Sequence, residues 1–348
     1  MPFYSRWSPR TVGLAAAVVT VAIWTLFIVI ARASAQRQLA PLDIVYARLL
    51  GAGLLLLPLG WWLNRRQRSA SQPTGWLGLS PLNADVTAQL GLWGGLAHSL
   101  FAYSGFFYAP ATHASVLLPG SLPLWTTLLA IWVLHERVTA VRALCLALIL
   151  LGDLLVGGAS LMSALTGQGG DVWKGDLLFM AGAISWSYYS VLLRRHRVDA
   201  VAATVATTVF AFLVFVPIYT LAVLTGYAGS GIGPSSAGEV LFQAVFQGMV
   251  SLVVAGMTFT LMVRYFGPVR STMITALVPG LSALGAVLFL SEPLHLNLLL
   301  GLMLVTLGIA LSVRWVGAAA SPSAAVTAAD PPAPNPATPA PAAARNAP

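Results

Sequence analysis

Residues 115–136, SVLLPGSLPLWTTLLAIWVLHE, return as residues 271–292, STMITALVPGLSALGAVLFLSE, at an offset of 156 positions. That offset aligns Ser115 with Ser271, Pro123 with Pro279, Thr126 with Ser282 and Glu136 with Glu292, and carries on without a gap to align Gly152 with Gly308. Any one of these matches could arise by chance, but the whole ordered set could not. Each copy is an apolar run entered at a proline and closed by a glutamate, with a second apolar run behind it. The chain is therefore built from two related halves, and the repeated unit is rich in apolar segments.

Outward from the repeat, the 348 residues are 58% hydrophobic and 8% charged, whereas a soluble domain carries about 25% charged residues. Too little polar surface exists to solvate such a chain, which makes it an all-α integral membrane protein in contact with a lipid bilayer. The net charge of +8 is spread between apolar runs instead of being gathered on a solvated face, so it speaks for membrane topology and against a nucleic-acid partner. Cys145 is the single cysteine, which excludes a disulfide framework and a Cys-based metal site.

A spanning helix takes about 20 apolar residues. Thr11 to Ala31, Val240 to Val263, Ser271 to Ser291 and Pro293 to Val313 meet that length unaided. Splitting longer runs at turn residues adds Pro41 to Leu63, two spans on either side of Ala109-Pro110-Ala111-Thr112-His113, then Thr139 to Gly158, Gly175 to Leu193 and Ala200 to Thr225. The expected fold is ten transmembrane helices. Ala33-Ser34-Ala35 resembles a signal cleavage site, but the first apolar run exceeds a signal core and has a counterpart in the second half, so it is kept as a span.

Five crossings per half is an odd number, so the halves enter the membrane from opposite sides and form two inverted five-helix repeats. The expected organisation is an N-terminus at 1–10, a first repeat at 11–158, an external linker at 159–174, a second repeat at 175–316 and a disordered Ala/Pro-rich tail at 317–348. With the N-terminus inside, 14 of the 18 Lys and Arg residues fall on the cytoplasmic side. The positive-inside rule then sets both termini in the cytoplasm, for a protein of the cytoplasmic (inner) membrane.

The chain at this point resembles the EamA branch of the drug/metabolite transporter superfamily. The resemblance rests on Ala22-Ile23-Trp24, on Pro41 followed by Arg48, on Leu122-Pro123 to His135-Glu136 and Val278-Pro279 to Ser291-Glu292, and on Gly175-Asp176-Leu177-Leu178 running into Ala183-Ile184-Ser185-Trp186-Ser187-Tyr188-Tyr189. It covers residues 11 to 316 and departs from the family at Asp153, where an apolar residue is usual. It implies secondary transport of small metabolites as the class, leaving substrate, direction and coupling ion open; the expected function is export of amino acids or other metabolites or drugs by alternating access, with a proton or an exchange substrate as the expected coupling partner. No cofactor is implied.

Gln243, Gln247, Ser251 and Thr258 fall at about 0, 40, 80 and 60 degrees around the eighth span. They share one face, which is either an interhelical hydrogen-bonding seam or a cavity wall. Thr126 and Ser282 give milder stripes on the fourth and ninth spans. His98 lies on a small-residue face of the third span, as a packing donor or as part of a substrate or proton path. Asp153 has two readings, a coupling role or solvation near the outer end of its span. Trp24, Trp186 and Tyr189 stand mid-span, where the resemblance implies cavity lining. Structural roles are expected for Arg48, Pro123, Glu136, Pro279 and Glu292, the acids as helix caps and Arg48 snorkelling or pairing near a boundary. The cavity is expected between the third and eighth spans. The chain holds no Walker loop, nucleophile elbow or zinc-binding His pair, so it does not read as an enzyme; the alternative readings are a channel-like or structural membrane protein and, behind these, an intramembrane enzyme using His98 and Asp153.

Overall fold

The structure, a computed structural model, describes residues 8–67, 76–167 and 170–319. Ten helical stretches run through these residues. Helix α1 is Pro9–Ala35, α2 Pro41–Gln67, α3 residues 84–108, α4 residues 111–134, α5 Ala140–Leu165, α6 Val172–His196, α7 Ala200–Leu224, α8 residues 237–266, α9 residues 268–290 and α10 Leu296–Ala319. Nine of them are long and apolar enough to cross a membrane. The exception is α3, where Gln89, His98 and several glycines dilute the hydropathy. The part of the proposed tail from residue 320 onward lies outside the described residues.

Local chemistry sets the helix ends. Ser8 Oγ accepts from Thr11 N at the start of α1, Thr139 Oγ1 from Arg142 N at α5, and Asp199 Oδ1 from Val201 N and Ala202 N at α7, satisfying donors that a helix start leaves open. Helices α4 and α9 both close on a residue in the left-handed region, His135 at φ 55° and Ser291 at φ 54°, which are related by the 156-residue offset. Gly267, at φ 77°, separates α8 from α9 in a conformation that glycine tolerates and other residues resist. Glycine-rich α3 and the facing α8 each contain a π-helical stretch, over Gly91–Ala97 and Ala244–Val254.

Large side chains such as Leu14, Leu54, Leu151, Leu221, Phe289 and Met303 are exposed around the bundle. A belt of this kind belongs against lipid, because water would charge about 25 cal/mol for each square ångström of it. Inside, α1 packs on α8 and α9, α6 on α3 and α4, α2 on α7 and α8, α7 on α3, and α5 on α10. The α2–α8 contact is close enough that a side chain at Gly51 would strike the backbone of Ala244, and one at Gly248 the backbone of Arg48.

Most of the buried apolar residues belong to one continuous cluster, from Ile28, Ala31, Phe106 and Ala111 near the end where α1 finishes and α4 begins to Leu146 and Ile309 towards the other end. Three smaller clusters lie apart from it, one around Ala17 and Met262, one around Tyr189 and Leu192, and one around Leu56 and Val205.

Two expected boundaries move. The linker expected at 159–174 is mostly helical, since α5 continues to Leu165 and α6 begins at Val172. The last helix starts at Leu296 instead of Pro293, because the chain first makes the Ser291–Glu292 corner.

Candidate functional site

The bundle centre is a chain of polar side chains from three helices. Arg48 of α2 donates from Nη1 to Tyr103 Oη of α3 at 2.9 Å, and Tyr103 Oη donates to Gln247 Oε1 of α8 at 2.9 Å. Tyr103 and Gln247 are fully buried and Arg48 is 8% exposed. Of the two roles expected for Arg48, snorkelling or pairing near a boundary, the contact made is a pairing, with Tyr103 supplying the partner inside the bundle. One turn from Gln247, the Gln243 amide donates to Ser34 Oγ of α1 at 2.6 Å. Arg48 Nε, Gln247 Nε2 and Gln243 Oε1 are buried with no hydrogen-bond partner among the described residues. Two donors and one acceptor thus remain unused in a region where polar groups normally find partners.

Beside this chain lie two aromatic groups. On the α3–α6 side, His98 Nδ1 is 3.0 Å from Gly182 O, its ring centroid is 4.8 Å from that of Trp186, and Trp186 is 5.0 Å from Tyr189. On the α1–α8 side, Trp24 stacks on Phe259 with centroids 5.3 Å apart, and Thr20 Oγ1 donates to Thr258 Oγ1 at 2.8 Å. Trp24 and Trp186 are both half-buried. The polar stripe expected on α8 is real, but Gln243, Gln247 and Thr258 meet α1 and α3 directly, so much of that face is an interhelical seam. Ser282 is buried and bonds back to Val278 O at 2.8 Å within its own helix, while Thr126 and Ser251 are half-buried. Pro123 and Pro279 each follow a break within α4 and α9 and stand in the first turn of the segments Leu122–Leu134 and Val278–Leu290, where a missing N–H costs least.

The two repeat glutamates part company. Glu292 is 9% exposed, and its carboxylate accepts from Ala111 N at 2.8 Å and Thr112 N at 2.9 Å, with Arg32 Nε 3.5 Å from Oε1. It is a helix cap, though for α4 and not for the helix that follows it. Glu136 lies at the other end of α4, pairs with Arg194 and is 29% exposed. The capping role expected for Glu136 is replaced by an ion pair with Arg194, and among the described residues no backbone N–H donates to its carboxylate.

Another polar group joins α4, α5 and α6. Asp176 accepts from Ser160 Oγ, and His113 Nδ1 lies 2.9 Å from Asp176 Oδ1. Asp153 is near the middle of α5 and 3% exposed, with neither carboxylate oxygen bonded among the described residues. Interface solvation is excluded by that burial. No group of three or more His, Cys, Asp or Glu that could hold a metal occurs among the described residues.

Sequence reasoning missed Tyr103, Arg32 and the His113–Asp176 pair. Tyr103 looked like one aromatic among many. Arg32 marked a span end, yet it stands to Arg194 as Trp24 stands to Trp186, at an offset of 162 positions, and that relation was open to inspection.

A match to the EamA-like transporter family runs over residues 11–158 and 173–314. No curated protein matches this chain. Among solved structures, one described as "Crystal structure of protein" is similar at a TM-score of 0.52 and 20% identity, over 90% of this chain and 100% of that one. At that identity the likeness speaks for the fold alone.

Proposed function

The chain belongs to the EamA-like transporter family, and from that premise we propose that it is a secondary transporter of small metabolites, amino acids or compounds of similar size, that exports them by alternating access. Membership of that family makes it a transporter and not an enzyme. Two inverted repeats, residues 11–158 and 175–316, would supply the moving parts. Support comes from contacts that exchange in pairs: α1 lies on α8 and α9 as α6 lies on α3 and α4, and α2 lies on α8 as α7 lies on α3.

The observation that carries the mechanism is the pair of inter-repeat latches. Arg32 and Glu292 meet at one end, Arg194 and Glu136 at the other, and the members correspond through the offsets of 162 and 156 positions. One latch is buried and adds a helix cap, whereas the other has side chains 50% and 29% exposed. Two equivalent devices in unequal states are what a rocking bundle needs. With the termini in the cytoplasm, as the positive-inside bias favours, the buried latch would lie at the outer end and the more exposed one at the cytoplasmic end.

Substrate would sit between α3 and α8, against His98, Trp186, Tyr189 and Trp24, with Gln243 and Gln247 offering their unused amide atoms. The half-buried Thr126 and Ser251 would complete the wall, and Ser282 lies behind it. Purified protein in proteoliposomes, tested against a panel of radiolabelled amino acids and other small metabolites, should show saturable flux that an excess of substrate on the far side accelerates. Non-saturating flux without counterflow would mean a channel and overturn the proposal.

A further inference from the structure

Asp153 lies in α5 among neighbours that offer its charge nothing. Helices α4, α6 and α10 pack against α5. On the α10 side the adjacent contacts are Gly301 and Val305, which press on Gly152, and residues 296–313 include no titratable side chain. Helix α4 contributes one titratable group over its length, His113. Helix α6 contributes Asp176 near the same end, while Lys174 is exposed and paired with Asp171 at 2.7 Å. His113 is engaged by Asp176 at 2.9 Å, and neither carboxylate oxygen of Asp153 has a hydrogen-bond partner among the described residues.

An unpaired carboxylate in such a place costs many kilocalories per mole, and a buried group in that position takes up a neutralising cation instead of remaining an anion. The same face points towards a polar group. Asp153, Gly157 and Ser160 fall within about 60 degrees of each other around α5. A side chain at Gly157 would lie 4.0 Å from Asp176 Cβ, and Ser160 Oγ donates to the Asp176 carboxylate. Asp153 thus stands about one helical turn, roughly 6 Å of rise, from Gly157 and about two turns, roughly 10 Å, from Ser160 of the His113–Asp176–Ser160 group. Asp176 and His113 lie at the Glu292 end, the former 4% exposed and the latter half-buried.

We propose that Asp153 is a proton-binding site of this chain, separate from the aromatic substrate site and served by the His113–Asp176–Ser160 group. One proton binds one carboxylate oxygen, forming an O–H bond and leaving a neutral acid; release returns the anion and one proton. The small apolar surroundings provide no set of oxygen ligands for a metal ion, so the ligand is the proton. That this proton drives transport rests on the transporter reading, but its binding does not.

The test uses the full chain in lipid nanodiscs without substrate. Infrared difference spectra between acidic and alkaline buffers, in sodium chloride and in N-methylglucamine chloride, report protonated carboxyl groups. Wild type should show a protonated carboxyl band that disappears on alkalinisation equally in both salts and is absent from Asp153→Asn. Asp176→Asn should keep that band and shift the pH at which it disappears. Asp153→Asn retains shape and removes a buried charge; should it fail to fold, the wild-type band and the Asp176→Asn shift still decide the matter. A wild type without the band, a band unchanged in Asp153→Asn, or a band that sodium abolishes would each overturn the assignment. Loss of transport alone would bear on the proposed function and leave this result standing.

Discussion

Glu136 and Glu292 follow the same backbone. The residue before each has φ near 55°, and their own N–H groups donate to Ala130 O at 3.4 Å and Ala286 O at 3.3 Å. Glu292 nevertheless closes on the first turn of α4 with Arg32 beside it, while Glu136 reaches an exposed arginine. The positions matching Ala111 and Thr112 are Gly267 and Pro268, and a proline has no N–H to donate. A repeat can therefore copy its turn and still give its two copies different bonds, because the partner belongs to another helix.

Removing the glutamates is the largest challenge to that contrast. Glu292→Ala strips two helix donors and Arg32 of their acceptor, and should destabilise the folded protein by about 3 kcal/mol or more, the range for breaking a buried pair. Glu136→Ala should cost under about 1 kcal/mol, as exposed pairs do. Thermal unfolding in one detergent measures both, and equal shifts would erase the asymmetry.

Next in size is the polar chain that joins the repeats at the centre. Tyr103→Phe removes the hydroxyl shared by Arg48 and Gln247, and should cost about 1–3 kcal/mol because buried polar groups lose their partner. Gln247→Ala and Trp186→Ala should instead lower flux per folded protein with less change in stability. If all three alter only stability, the centre is packing and carries no substrate.

The smallest effect is expected at Thr20→Val, which removes one interhelical hydroxyl bond on the α1–α8 side and should cost about 0.6 kcal/mol. A larger loss would make that side a stronger joint than the latches.

Much of the fold was legible because lipid imposes a period and a length on the sequence. The apolar runs, their break at Ala109–His113 and the 156-residue offset located the helices to within a few residues at most ends. The site was less legible. Trp186, Tyr189 and His98 were selected, and they do meet. Gln247 was selected too, but its partner Tyr103 was not, since nothing in the sequence of α3 marks the buried Tyr103 apart from the exposed Tyr108. Arg48 and Asp153 were read from their distance to a span end, which cannot tell whether another helix covers them.

Sequence by itself determined that this is a membrane-spanning helical protein made of two related halves, because hydropathy, helix rise and repeat spacing are properties of a single line of residues. Tertiary structure decided what each polar residue is worth. Burial and pairing depend on which helix lies opposite, so Glu292 became a cap, Glu136 an exposed partner of Arg194, and Asp153 a carboxyl with no partner among the described residues.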